Sequence, residues 1–463
     1  MKLSGLLFAA TLSMVLVANA IAQETSEVMI DATFDQSIAE NLEVHVIDAD
    51  VNIQSGPVEN IRVTVTVAGE DPALNRKYFD KQDYTVRLDN GTVRVISQRE
   101  LRTQNRPERQ ASPLIDVQVH IPESFTVSIR SIDGDVAINR LAGDLHIKSQ
   151  DGKITVGAVD GDEVELRTSD GDITAENVSG NSIHVGTVDG DIELGTVHAK
   201  RLVLRTSDGN ISLESAMGSS QVTTVDGNIA IGVLRTDHAT VRTSDGDIHL
   251  TEVEGSVSAQ SVDGEIMLGS IKGDQAQLNT SDGEITVKSV EVQSISAKTV
   301  DGDIALGEVS AKRFAINATD GDVSIKSLAG TGQATTQDGD VTIDWLQSAG
   351  RSTIRTSAGN ISVIQKEGSI AASSTDGSID LELTGSISVN ATTSNGDIVI
   401  TLPADHASDL MLTGESIDIE PELGFSGEIE LSPNQASGKI NGGGKAVRAQ
   451  ITGDGRILVR AAK

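Results

Sequence analysis

The chain has 463 residues, with 68 acidic against 36 basic side chains and a formal net charge of −32. That balance argues against a nucleic-acid binder, because phosphate contacts need the opposite sign. There is no cysteine, which rules out disulfide staples and a lipobox anchor, and only 2% of residues are aromatic, so stability must come from aliphatic burial and backbone pairing.

Met1 and Lys2 form a short basic stretch before an apolar run from Leu6 to Val17, and small residues follow at Ala18, Ala20 and Ala22. The run is too short to span a bilayer. It reads as a cleaved secretory signal peptide over 1–22. No later run is long enough to cross a membrane. The expectation is an exported chain of the periplasm, cell surface or medium, not lipid-anchored and without a transmembrane segment after cleavage.

Residues 23–126 alternate apolar and polar positions irregularly. "LEVHVIDADVNI" (42–53) and "YTVRLDNGTVRV" (84–95) each read as strand, turn, strand, with Ala49 and Gly91 at the turns. Two polar excursions interrupt them, at 68–83 and 97–112. No window carries helical spacing. The second excursion holds Arg99, Arg102, Arg106 and Arg109 in an otherwise acidic chain. It reads as a solvated loop or a contact site for an acidic surface.

From 127 to 402 one unit recurs fifteen times with a spacing of 18 to 20 residues, marked by the glycine of an Asp-Gly-like turn. Typical copies are "RTSDGDI" (167–173) and "GTVDGDI" (186–192). The turn glycines include Gly171, Gly190, Gly209, Gly227, Gly246, Gly264, Gly283 and Gly302. Ile or Val always stands two residues after the glycine, and apolar residues stand four after and five before it. Period-two alternation on both sides of a turn means strand, turn, strand. The same residue type at the same offset in every copy is what stacked coils produce. The fold class is therefore all-β: a single-stranded parallel β-solenoid with coils of about 19 residues. At ~4.8 Å per coil, fifteen coils make a rod of about 70 Å.

A slower rhythm rides on the coils. The residue two before the glycine alternates Ser169, Val188, Ser207, Val225, Ser244, Val262, Ser281, Val300, and the Val copies carry a further glycine at 195, 232, 269 and 307. The segment 403–463 departs from the repeat until "TGDGRILV" (452–459) restores a coil around Gly455. Both irregular ends read as caps, because a solenoid end exposes unpaired backbone.

The opening "ATFDQSIAENLEVHVIDADVNIQSG", the stretch "VHIPESFTVSIRSIDGDV" (119–136), the serial Asp-Gly coils and the glycine-rich terminal turn together resemble the bacterial putative-adhesin β-solenoid family, a domain of unknown function. The resemblance spans nearly the whole chain after the signal peptide. It implies an extracytoplasmic single-chain solenoid and supplies no catalytic residues.

Asp directly precedes the turn glycine in thirteen copies, and an acid or Asn usually follows it. Such a carboxylate ladder repels itself unless neutralised. Calcium is one solution, with Asp170, Asp189, Asp208 and Asp245 as candidate ligands. The other is local: Asp accepts backbone N–H groups and glycine supplies a positive φ. The calcium β-roll and EF-hand patterns are absent, so the reading is a structural turn with no metal or other cofactor. Thr or Ser three before the glycine points inward and bonds backbone. Four before it, Arg130, Lys148, Arg167, Arg205, Arg242, Lys298 and Arg355 point outward and can approach the acids after the turn.

His184 and His198 lie in neighbouring coils, but no nucleophile, zinc or phosphate-loop motif accompanies them. The functional expectation is a non-catalytic structural, adhesive or binding scaffold at the bacterial envelope, with an envelope protein or polysaccharide as partner. The alternatives are a β-helix carbohydrate-active enzyme and a calcium-stabilised surface rod.

Overall fold

The Ile or Val two residues after each turn glycine becomes a continuous internal ladder. Ile173, Ile192, Ile211, Ile229, Ile248, Ile266, Ile285 and Ile304 are Cα partners from coil to coil, all in parallel register. The computed structural model describes residues 25–97, 113–431 and 434–462. It is a parallel β-solenoid of about 14 turns with a spacing of about 19 residues.

From Ile173 to Ser373 each coil is one long, bent strand, such as Ile173–Gly186 or Ile192–Arg205. The register between these two skips Glu176 and Gly195, then Asn181 and Lys200. Two bends and the Asp-Gly turn therefore give three corners and three short straight faces. Ile173, Ala175, Val178, Ile183 and Val185 point into the core and are buried. Each side chain meets its counterpart one coil away, so the aliphatic interior needs no large aromatic residue to fill it. Burial of a Val, Leu or Ile side chain stabilises by roughly 1.5–3 kcal/mol, repeated in every coil.

The first bend explains part of the two-coil rhythm. A Cβ added to Gly195, Gly232, Gly269 or Gly307 would fall closer than 3.0 Å to the carbonyl oxygen of Glu176, Glu214, Thr251 or Lys288 in the preceding coil. Alternate coils thus use glycine where the backbones close on one another. The accompanying valines Val188, Val225, Val262 and Val300 stand exposed beside the turn.

Two segments depart from the expectation. Residues Pro72–Gln82 form an α-helix inside the first excursion, where no helical spacing was visible. Its signal is local rather than periodic: Asp71 caps the helix by accepting from the Ala73 N–H at 2.8 Å, and Pro72 opens it. The helix lies over the end of the rod, with Tyr78, Phe79 and Tyr84 against the core. Phe79 and Tyr84 stack with ring centroids 5.2 Å apart. The stretch 84–95 is a hairpin rather than a coil: Tyr84–Asp89 pairs antiparallel with Thr92–Ser97. Asn90 and Gly91 turn it with φ of 47° and 78°, the left-handed pair a two-residue hairpin requires.

Both ends stack out of sequence. Asn41–His45 lies between Thr92–Ser97 and Thr126–Arg130, and Asp50–Ser55 between Leu114–Ile121 and Val136–Leu141. At the other end Lys445–Ile451 is inserted between Ser388–Thr393 and Ser408–Thr413. Arg456–Ala461 likewise sits between Ile398–Leu402 and Ser416–Ile419. Antiparallel strands then finish each end: Thr25–Asp35 with Asn60–Gly69, and Phe425–Leu431 with Asn434–Ile440. A coil held between two others cannot peel off alone, which is how the rod manages its edges.

Candidate functional site

The repeated turn is the first place to look for chemistry, and its polar groups are engaged in holding coils together. Thr168 Oγ1 donates to the Gly152 carbonyl at 3.0 Å, Thr187 to Gly171 at 3.0 Å, and Thr243 to Gly227 at 2.9 Å. The residue after the glycine then bonds the next coil. Asp172 Oδ1 accepts from the Asp191 N–H at 3.0 Å, Asp191 from Asn210 at 2.7 Å, and Asp303 from Asp322 at 2.8 Å. Uncharged Asn228 does the same work for the Asp247 N–H at 2.8 Å.

This corrects two details of the turn. The backbone N–H groups go to the side chain after the glycine, not to the Asp before it. The glycines serve close approach rather than positive φ. Among the glycines of the coil turns only Gly134, Gly396 and Gly455 have a positive φ in the region that favours glycine, Gly91 belonging to the hairpin. At Gly171, Gly190, Gly209, Gly227, Gly246, Gly264, Gly283 and Gly302 a Cβ would fall closer than 3.0 Å to the carbonyl oxygen of the turn glycine below.

Asp170, Asp189, Asp208 and Asp245 are exposed along this corner. Among the described residues no group of three His, Cys, Asp or Glu side chains converges in a way that could hold a metal ion. Consecutive ladder carboxylates lie in a row, and a row does not surround a cation.

One part of the ladder differs. Ala49 stands under Gly134, which brings Asp48 into line with Asp133 and Asp151. Asp48 accepts from the Tyr78 hydroxyl at 3.0 Å. Partial burial, then hydrogen bonds and like charge from Asp48 and Asp151, pushes the Asp133 carboxyl up to about 6. Burial, with Tyr78 and Asp48 nearby, also raises the Tyr84 phenol. The Ala49 alignment was the available signal for Asp48; that a helix would carry Tyr78 to it was not legible in the chain.

The remaining candidates are not brought together. His184 lies on the face before the turn and His198 on the face after the first bend. The outward cations four before the glycine do not reach the acids after the turn. Arg167 pairs instead with Glu165 at 2.8 Å, and Lys148 with the same carboxylate at 3.4 Å. Two-residue spacing along one strand places these side chains on a common face, whereas the turn acids project from the corner. Arg99, Arg102, Arg106 and Arg109 of the contact loop, and the signal segment 1–22, lie outside the described residues.

The model of the Toastrack DUF4097 family matches residues 39–255 and 254–383. No curated protein sequence matches the chain. Among solved structures, a "putative adhesin" from Parabacteroides merdae is 13% identical at a TM-score of 0.30, covering 62% of this chain and 96% of its own. A "putative cell adhesion protein" from Clostridium sporogenes is 8% identical at a TM-score of 0.16, covering 95% and 100%. A "putative lipid binding protein" from Parabacteroides distasonis is 14% identical at 0.19, covering 78% and 96%.

Proposed function

Since the chain belongs to the Toastrack DUF4097 family, a family of unknown function, we propose that it is an exported, non-catalytic adhesive or binding scaffold of the cell envelope. The observation that carries this reading is the use made of the repeated polar groups. The Thr hydroxyls and the acids after the turn, the residues a hydrolytic site would recruit, are bonded to the backbone of neighbouring coils. What the rod offers outward is repetition, and repeated weak contacts add through effective concentration. The sequence supports export through its signal-like segment 1–22. Among the described residues no helix is long and apolar enough to cross a membrane.

The test is a tagged copy in intact cells, combining fractionation, surface labelling and crosslinking. Recovery in an envelope fraction, crosslinked to an envelope component, supports the reading. Retention in the cytoplasm, or turnover of an envelope polysaccharide abolished by a single carboxylate substitution, defeats it.

A further inference from the structure

Over twelve successive coils one face of the rod is free of carboxylates, with Glu163 and Glu165 of the preceding coil at its edge. On the straight segment before each turn, the outward positions lie eight, six and four residues before the glycine. In register, the last of these runs Gly186, Arg205, Thr223, Arg242, Gln260, Asn279, Lys298, Asn317, Thr335, Arg355, Ser373, Thr392. Across the twelve coils from Ser182 to Thr392 no outward position on this face is Asp or Glu, in a chain with 68 acids against 36 bases. Its cations are Arg201, Arg205, Arg242, Lys298, Arg313, Arg351 and Arg355, joined by His184 and His238. Apart from Gly186, Val203, Ala315 and Ala371, the rest are Ser, Thr, Gln and Asn.

These cations contrast in their pairing with several others on the rod. Arg62, Arg76, Arg235, Lys272 and Arg456 each form an ion pair with a nearby carboxylate. None of the seven on this face pairs with a carboxylate among the described residues, and all seven are exposed. In a protein of net charge −32, unpaired cations gathered on one acid-free face are a charge pattern that suits an anionic partner.

The face also has a depression. Gly186 interrupts the basic row between Arg167 and Arg205, leaving a cleft of about 470 Å³ walled by His184, Arg201 and Val203. Guanidinium groups favour planar carboxylates and phosphates.

We propose that this face binds an extended acidic polysaccharide, with the cleft at Gly186 seating one of its carboxylate or phosphate groups. The inference rests on the binding role argued above and names its partner. Three features select a sugar chain. The coil spacing of ~4.8 Å is close to the length of one sugar residue. Ser, Thr, Gln and Asn offer donors and acceptors to hydroxyl groups at every coil. The face has no aromatic side chain on which nucleic-acid bases would stack.

The full chain is tested for retention of polygalacturonate, with uncharged dextran as control. The variants are Arg205→Glu with Arg242→Glu, an off-face pair Arg235→Glu with Lys272→Glu of the same net charge, and Gly186→Glu. A Cβ at Gly186 would meet only the Arg205 carbonyl oxygen, at 3.4 Å, so this last variant fills the cleft without breaking the coil. Salt-sensitive binding is expected, weakened about tenfold by the face pair and by Gly186→Glu, and unchanged by the off-face pair. Thermal melts confirm folding of each variant. The proposal is overturned if the wild type does not retain polygalacturonate, if dextran binds equally, or if both charge-reversed pairs lose binding alike. It is also overturned if the face variants instead abolish self-association of the chain. A surface-located protein that ignores polygalacturonate defeats this proposal alone; a cytoplasmic one defeats the reading beneath it.

Discussion

Gly246 stands directly on the backbone of Gly227: a Cβ added to it would lie 2.5 Å from the Gly227 carbonyl carbon and 3.0 Å from the Asn228 nitrogen. Gly227 stands in the same way on Gly209, and Gly264 on Gly246. The glycine row is therefore a column of backbone in contact with backbone.

Gly246→Ala should destabilise the rod by about 3 kcal/mol or more, because rigid backbone on both sides prevents relaxation. Gly186→Ala, whose Cβ meets only ordinary contact, should cost well under half of that. Paired denaturant melts measure the difference. Equal destabilisation by the two would remove the steric account of the turn.

Thr243→Val should cost about 1–3 kcal/mol. The substitution keeps the shape but removes the hydroxyl that donates to the Gly227 carbonyl at 2.9 Å and the Val225 carbonyl at 3.1 Å. Thr243→Ser keeps the donor and should recover most of the loss. A neutral Thr243→Val would mean that these carbonyls find other partners.

Asp133 sets a pH dependence. Its carboxyl is raised from 3.8 to about 6 by partial burial and by Asp48 and Asp151, so the folded state holds the proton more tightly than the unfolded chain. This contribution opposes folding at pH 7 and is relieved as pH falls from about 6 toward 3.8. Asp133→Asn should stabilise at neutral pH by about 1 kcal/mol once solvent screening is allowed for, and the gain should shrink on acidification. Asp31, held low by Arg62, and Asp35, held low by Ser37, titrate below this window. A variant whose advantage stays constant between neutral and acidic pH would contradict the assignment.

Removal of divalent metal should leave the melting temperature unchanged. The candidate ligands Asp170, Asp189, Asp208 and Asp245 stand in an exposed row that does not surround a cation, and the acids after the turn already accept N–H groups, as Asp172 does from Asp191 and Asp322 from Asp340. Calorimetry with calcium and with excess chelator checks this. A clear drop on chelation would restore the calcium-stabilised rod.

Truncation after residue 440 should expose more than one edge. Lys445–Ile451 and Arg456–Ala461 are the inner layer between 388–402 and 408–419. The shortened chain should self-associate or aggregate through the opened parallel edges, which light scattering after size exclusion would show. A monodisperse truncated monomer would argue that the terminal coil is dispensable.

Much of the architecture was legible because one rule repeats. Alternation around the turn glycine placed Ile173 and its counterparts in the core, Arg167 outside and Thr168 inside, as the burial shows. The ends were less legible. Pro72–Gln82 has weak hydrophobic periodicity, and its capping pair Asp71–Pro72 is a short signal easily read as a turn. Asn90–Gly91 fitted the coil pattern and the hairpin pattern equally well. The acid-free face was written in the sequence, yet it appears only when positions eight, six and four before each glycine are placed side by side.

Local rules depend on neighbours along the chain, and those the residues state directly: where strands run, which side chains face inward and where the turns fall. Contacts between coils depend on what is stacked above and below. That is why the role of Gly246, the choice of Asp172 over Asp170 as acceptor, the Asp48–Asp133 column and the out-of-sequence ends emerged only in three dimensions. Stacking brings residues about 19 positions apart into contact and turns a repeated letter into a column of backbone.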